Sequence, residues 1–206
     1  MPGIERWRES WRGLGTPAVA ESLYVELINR YSEAHRAYHT TQHLDECFLR
    51  LDEARHVADR THEVELAIWF HDAVYAVRRT DNEEQSAAWA HAALAQAGLS
   101  SATSDRVHDL ILTTKHDAVP TTRDAMLLVD VDLAILGAPV DRFDEYERQV
   151  RQEYSWVPEP VFRQKRREIL QEFIARPHIY STEHFRQAYE RQARANLARS
   201  IEQLAW

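Results

Sequence analysis

Apolar positions along the chain recur three and four residues apart, the period of an amphipathic helix. Trp7 and Trp11 predict a short helix near the start. Thr16-Pro17 reads as an N-cap followed by proline at the first helical position, and Leu23, Leu27, Ile28 and Tyr31 carry that helix to about Glu33. A polar connection over 32–41 follows, with Thr40 or Thr41 as the next cap and Leu44, Cys47, Phe48, Leu51 and Ala54 on the buried face. Thr61, with Glu63 and Glu65 behind it, opens a helix that Leu66, Ile68, Trp69 and Phe70 lead inward to His71-Asp72.

The second half continues in the same period. Asp81 with Glu84 has the spacing of a capping box, and an alanine-rich helix runs from it to a stop at Gly98. Residues 101–116 predict another helix, and a loop around Pro120 leads to 124–137, bounded by Asp124 as cap and Gly137 as stop. From Asp141 onward the pattern is charged and helical, interrupted at Pro158-Glu-Pro160 and at Pro177, with a last helix from about Thr182 to Leu204. Two sheet-like runs, 72–77 and 126–131, are short and fit their helical surroundings. The expectation is an all-α, single-domain helical bundle over 1–206, with a core at about 20–140 and further helices at about 141–206.

Composition narrows the function classes. Against 33 Asp+Glu stand 25 Lys+Arg, a formal charge of -8, which argues against binding a nucleic acid polymer while leaving room for a local phosphate site. The single cysteine, Cys47, has no internal disulfide partner and reads as a small buried hydrophobe. The first residues are charged, without the apolar core of a signal peptide, and no apolar stretch approaches the ~20 residues of a membrane span. A soluble, cytoplasmic protein is expected. The arginine-rich last helix, interspersed with Glu and Gln, reads as a solvated face or one that packs a second copy of the chain.

The candidate chemistry centres on His71-Asp72. Taken singly, a His-Asp pair is common by chance, and His43 is as well read as a hydrogen-bonded core histidine. Asp130 and Asp132, however, stand inside the apolar run 126–136, where an acid is costly unless paired or metal-bound. Two imidazoles and two carboxylates would suit a divalent ion such as Mn, Mg, Fe, Ni or Zn. The chain has no glycine-rich phosphate loop, Cys-x-x-Cys pair or Gly-x-Ser-x-Gly elbow.

Tyr38-His39-x-x-x-His43, Phe70-His71-Asp72-x-x-Tyr75, Asp81-Asn82-Glu83-Glu84-x-Ser86 and Asp130-Val-Asp132-Leu-Ala-Ile-Leu-Gly137 together resemble the HD superfamily, and within it a bacterial branch of predicted metal-dependent phosphohydrolases. Arg151-x-Glu153-Tyr154 and Ala193-Arg-Ala-Asn196-Leu extend the resemblance over most of the chain. It implies a divalent metal held by His43, His71, Asp72 and Asp132, with Asp130 as the alternative fourth ligand. The Tyr-His-x-x-x-His element also resembles that of cyclic-nucleotide phosphodiesterases, which implies His39 as general acid, within reach of His43 if the helix begins early enough; His39 reads equally as a residue that caps or packs at the helix entrance. The chain departs from those two-metal relatives in lacking a further histidine after the pair, at Ala73-Val74-Tyr75.

Around the metal, Glu83 is the candidate for orienting water, Glu84 reads as a first-turn helix acid, and His116 reads as a substrate contact or as a helix-terminal histidine. Arg36, Arg78, Arg79 and Lys115 are candidates for holding phosphate oxygens or for plain surface solvation. The expected activity is hydrolysis of a phosphomonoester or phosphodiester, a nucleotide among the candidates, by metal-activated water. The alternative is a non-catalytic regulatory module that binds metal and nucleotide. An iron oxygenase is a third reading, which normally asks for more histidine ligands than are found here.

Overall fold

The computed structural model describes residues 3–16 and 21–205, and among these the chain is all helical, with no strand. The helices are α1 (Ile4–Gly13), α2 (Glu21–Arg30), α3 (Thr41–Ala54), α4 (Thr61–Phe70), α5 (Asn82–Gln96), α6 (Ser101–Leu112), α7 (Arg123–Asp132), α8 (Val140–Glu153), α9 (Glu159–Ala175) and α10 (Glu183–Gln203). None among the described residues is long and apolar enough to cross a membrane. The expected cap at Thr16-Pro17 falls partly outside the described residues. α2 ends at Arg30, short of Glu33, but Tyr31 beyond it is still fully buried.

α4 is the axis of the fold. Every residue from Glu63 to Phe70 is buried, because α1, α3, α5, α6 and α7 all pack against it. Its two acids survive burial by pairing. Glu63 takes a two-pronged bond from Arg106, at 2.8 and 2.6 Å, and Glu65 binds Arg55 and His62. Trp7 and Trp11 seal one side, with the Trp7 and Trp69 rings edge to face at 5.3 Å.

Two predicted caps are corrected. Asp81 precedes α5 but makes no side-chain cap; its carboxylate is taken by Arg79 and Gln85, while Glu84 pairs with Lys115. Asp124 is likewise not the cap of α7, since Thr122 is. The Asp124 carboxylate instead accepts from the backbone N–H groups of Asp59 and Arg60, at the start of α4. The remaining punctuation matches the pattern: Thr40 caps α3, Gly98 turns after α5 at φ 78, and Thr182 caps α10.

Gly137 ends the 3-10 turn 133–137 for a reason other than backbone freedom. A Cβ there would stand 2.7 Å from Tyr189 Cβ and 2.9 Å from the Tyr189 carbonyl, so α10 crosses at close range only because the side chain is absent. Asn196 of α10 fastens the same segment by donating to the carbonyls of Leu136 and Ala138, both at 2.9 Å.

Candidate metal centre

Three segments bring donor atoms to one point beside α4. His43 lies in the first turn of α3, with Cys47 one turn later on the same face. His71 is the C-cap of α4 with Asp72 directly after it, so the pair sits where the helix ends and its backbone can turn both side chains the same way. Asp132 is the last residue of α7. The Nε2 atoms of His43 and His71 are 3.1 Å apart. Asp132 Oδ1 stands 3.1 Å from the first and 3.7 Å from the second, and Asp72 Oδ2 stands 3.5 and 3.0 Å from them. Cys47 Sγ is 3.6 Å from His43 Nε2.

These spacings match ligands around one ion. With metal–N/O bonds of about 2.0–2.2 Å, neighbouring ligands in tetrahedral or octahedral arrays are about 2.8–3.6 Å apart. Donor atoms of His43, Cys47, His71 and Asp132 all lie within 4.8 Å of one another, so this buried group can hold a metal ion. Asp72 adds a carboxylate on the His71 side.

Asp130 points elsewhere. Its carboxylate accepts from Ser181 N–H, Thr182 N–H and the Thr182 hydroxyl, each at 2.7 Å, and so seats the start of α10. Burial nevertheless raises its carboxyl to about 6.

The donors are aimed by their neighbours. His71 Nδ1 lies 2.8 Å from the Ile68 carbonyl, an acceptor only, so Nδ1 carries the proton and the Nε2 lone pair faces the cluster. His116, in left-handed backbone at φ 58 after the 3-10 turn that ends α6, binds Asp132 Oδ2 through Nε2 at 2.9 Å and holds Oδ1 inward. Buried Arg36 braces the turn after α4, donating to the carbonyls of Asp72 at 2.7 Å, Ala73 at 3.2 Å and His39 at 3.1 Å. It is thereby withdrawn from the set of candidate phosphate ligands. Arg79 is paired with Asp81 and Lys115 with Glu84, while Arg78 lies over the Trp156 ring.

No family model, curated protein or solved structure matches this chain. The cluster is therefore read from its own electrostatics. Burial, the largest influence, works against every charge in it. Even so, the imidazoles, His71 first, hold Asp72 below the usual carboxylate range, and bonds from His116 and His43 hold Asp132 far below it. Asp72 in turn lifts His71 to about 9 against its burial. His71 thus keeps a second proton, on the Nε2 whose lone pair a cation would otherwise take. Cys47 stays a neutral thiol, its pKa pushed up by burial. It was expected as an inert hydrophobe, but its sulfur borders the donor group.

His39 lies outside the helix, before the Thr40 cap, so the helical spacing to His43 does not apply; their rings are 6.1 Å apart. Glu153 places it. One Glu153 oxygen accepts from the backbone N–H groups of Ala37, Tyr38 and His39 at 2.8–3.0 Å; the other binds His39 Nδ1 at 2.8 Å and the Tyr75 hydroxyl at 2.7 Å. The Tyr75 ring stacks on that of His39 at 4.1 Å. Burial disfavours the imidazolium, but Asp72 and then Glu153 raise the pKa of His39 above its ordinary value. Glu83, in the first turn of α5, is half-buried; burial, and the charge of Asp72 after it, raise its carboxyl. It shares no hydrogen bond with the cluster among the described residues.

The cavity bordered by His43, Cys47 and Asp132 measures about 60 Å³, room for an ion or a water rather than a substrate. The cluster meets solvent through side chains that are about one-fifth exposed, His39, His116, Asp72 and Asp132. A larger cavity of about 560 Å³ beside the loop 117–122 touches none of these residues.

Proposed function

We propose that this chain is a metal-dependent phosphohydrolase of the HD superfamily, acting on a phosphomonoester or phosphodiester. The observation that carries the reading is the convergence of two imidazole nitrogens and two carboxylate oxygens, 3.0–3.7 Å apart, from α3, the end of α4 and the end of α7. His43, His71, Asp72 and Asp132 would hold a divalent ion, with Cys47 beside them. Such an ion, when bound, supplies the positive charge that acidifies a water and offsets charge on phosphoryl oxygens.

The protein's own groups do the rest. Glu153 fixes His39 through Nδ1, leaving Nε2 to deliver a proton to the departing oxygen. The raised pKa of His39 keeps that proton available near neutrality. Glu83, at the start of α5 and within the field of Asp72, orients the attacking water. Arg36 and His116 are positioning residues, holding the His71-Asp72 turn and the Asp132 carboxylate. The cytoplasm is the proposed compartment, since the lone Cys47 asks for no oxidising environment.

Elemental analysis of gently purified protein, joined to a phosphatase and phosphodiesterase screen with Mn, Mg, Fe, Ni and Zn, tests this. His71→Ala, with its helix content verified by circular dichroism, should lose both bound metal and turnover. Full activity in that metal-free variant would overturn the reading. Ligand-induced thermal shifts with no released phosphate would favour a non-catalytic binding module instead.

A further inference from the structure

The cavity of about 560 Å³ beside the loop 117–122 shares no residue with the donor cluster, and its size is within the range of small-molecule sites, about 300–1,000 Å³. It lies between the start of α4, the end of α6 and the start of α7. Leu110 and Ala125, both buried, give it apolar wall. Val119, at 79% exposure the most open large apolar side chain among the described residues, stands on the loop that edges it.

The charge around it is one-sided. Asp59, Glu63, Asp109, Asp117 and Asp124 border the cavity against two cations, Arg60 and Arg106. Arg106 is spent on Glu63 in its two-pronged bond. Asp117 makes no hydrogen bond among the described residues, and Lys115, two positions before it, is bonded to Glu84. Asp124 decides the reading. It is 7% exposed, and the two N–H groups that it accepts, from Asp59 and Arg60, both go to Oδ1. Oδ2 has no hydrogen bond among the described residues, yet it is not sealed from solvent. Arg60 stands 4.0 Å from it, beyond hydrogen-bond reach. A carboxylate oxygen so enclosed and left without a donor calls for one. An anion is repelled here, and a wholly apolar molecule leaves Oδ2 unanswered. An apolar body carrying an ammonium or amidinium group suits both the wall and the acid.

We infer that this cavity is a binding site for a small organic cation, an ammonium or amidinium group on an apolar body, with Asp124 Oδ2 as its acceptor. The site stands without the phosphohydrolase reading and without a metal. Its place in the fold gives it a bearing on the cluster all the same. Asp124 joins the start of α7 to the start of α4, and these ten-residue helices, each about 15 Å long, carry Asp132 and His71-Asp72 at their other ends. An occupant bonded to Asp124 therefore acts on the joint between the two helices that position three of the donors.

The probes are benzamidine, a compact apolar cation, benzamide, its neutral counterpart of the same shape, and benzoate, the matching anion. Each is titrated against the full chain by calorimetry and by amide NMR. Saturable binding of benzamidine is expected, about tenfold or more tighter than that of benzamide, with none of benzoate and with amide shifts centred on 117–125 and the start of α4. Asp124→Asn keeps an oxygen for the N–H groups of Asp59 and Arg60 but removes the free carboxylate oxygen, and should weaken benzamidine binding about tenfold, the worth of one charge-assisted hydrogen bond. Asp117→Asn changes an exposed side chain only, and should weaken it about threefold through lost attraction at the rim. His71→Ala should bind benzamidine as the wild type does, which separates this site from the metal centre. Absence of saturable benzamidine binding, affinity no greater than that of benzamide, affinity unchanged in the two aspartate variants, or binding lost in His71→Ala overturns the assignment.

Discussion

Two positions along a helix is about 200° around its axis, so Asp130 and Asp132 face opposite sides of the last turn of α7. One serves the donor cluster and the other seats α10, and their replacements should fail differently. Asp132→Ala is expected to lose metal with the fold intact. Asp130→Ala should retain metal but lose about 2–3 kcal/mol of stability in urea, because the N–H groups of Ser181 and Thr182 are left without acceptors. Equal metal loss in both would contradict the division. Glu153 carries a pH signature. Its pKa falls from 4.5 to about 2 in the fold because bonds from His39 and the backbone outweigh burial. A depressed carboxyl stabilises above its unfolded value and loses that contribution as pH falls through the folded one. About 3 kcal/mol should therefore disappear between pH 4.5 and about 2 in the wild type and be missing from Glu153→Gln, read as the difference in urea midpoints. At this scale the chain was only half legible. The apolar run signalled that two acids needed partners, but which acid faced which side depends on helix phase relative to α3 and α10. Cys47 and Glu153 gave no chemical signal of their own, since a buried thiol and a helix-end glutamate are ordinary until their neighbours are known.

Helix ends are where spacing alone misled. Asp81 and Asp124 have the residue type of a cap, yet each was claimed by a stronger partner, an arginine in one case and two backbone N–H groups of another helix in the other. Arg36 read as a surface cation for the same reason; nothing local shows that three carbonyls will surround it. Arg36→Ala should therefore destabilise the fold by about 3 kcal/mol and lower metal retention through the loosened turn after α4, while phosphate affinity per metal-loaded molecule stays the same. Weaker phosphate binding at full metal loading would return Arg36 to a substrate role. Gly137 was legible as a stop but not as a contact. Gly137→Ala is expected to cost about 2 kcal/mol, because the Tyr189 carbonyl 2.9 Å from the new carbon belongs to a helix backbone that cannot move alone. A urea midpoint equal to the wild type would show that α10 gives way freely.

The all-helical class was plain in the 3.6-residue period, but α4 as its axis was not, because Glu63 and Glu65 read as first-turn acids until Arg106, Arg55 and His62 are seen to pair them. How α8, α9 and α10 pack was not, because the same charged amphipathic pattern suits several packings. For the molecule as a whole, an ion at the cluster would tie α3, α4 and α7 together. Chelation should then lower Tm by about 5–10 °C at metal concentrations near 100-fold above Kd, and the shift should be absent in His71→Ala. The bond between Asp130 and the start of α10 also sets a timetable. During synthesis His43, His71, Asp72 and Asp132 all emerge before Ser181 and Thr182, which stand 51 and 52 positions beyond Asp130. Until then α7 carries an acid with no acceptor role to fill and no helix to lean on. The donor cluster can thus form before α10 is seated, and a polypeptide stalled before α10 would hold every donor while Asp130 still lacks its partners.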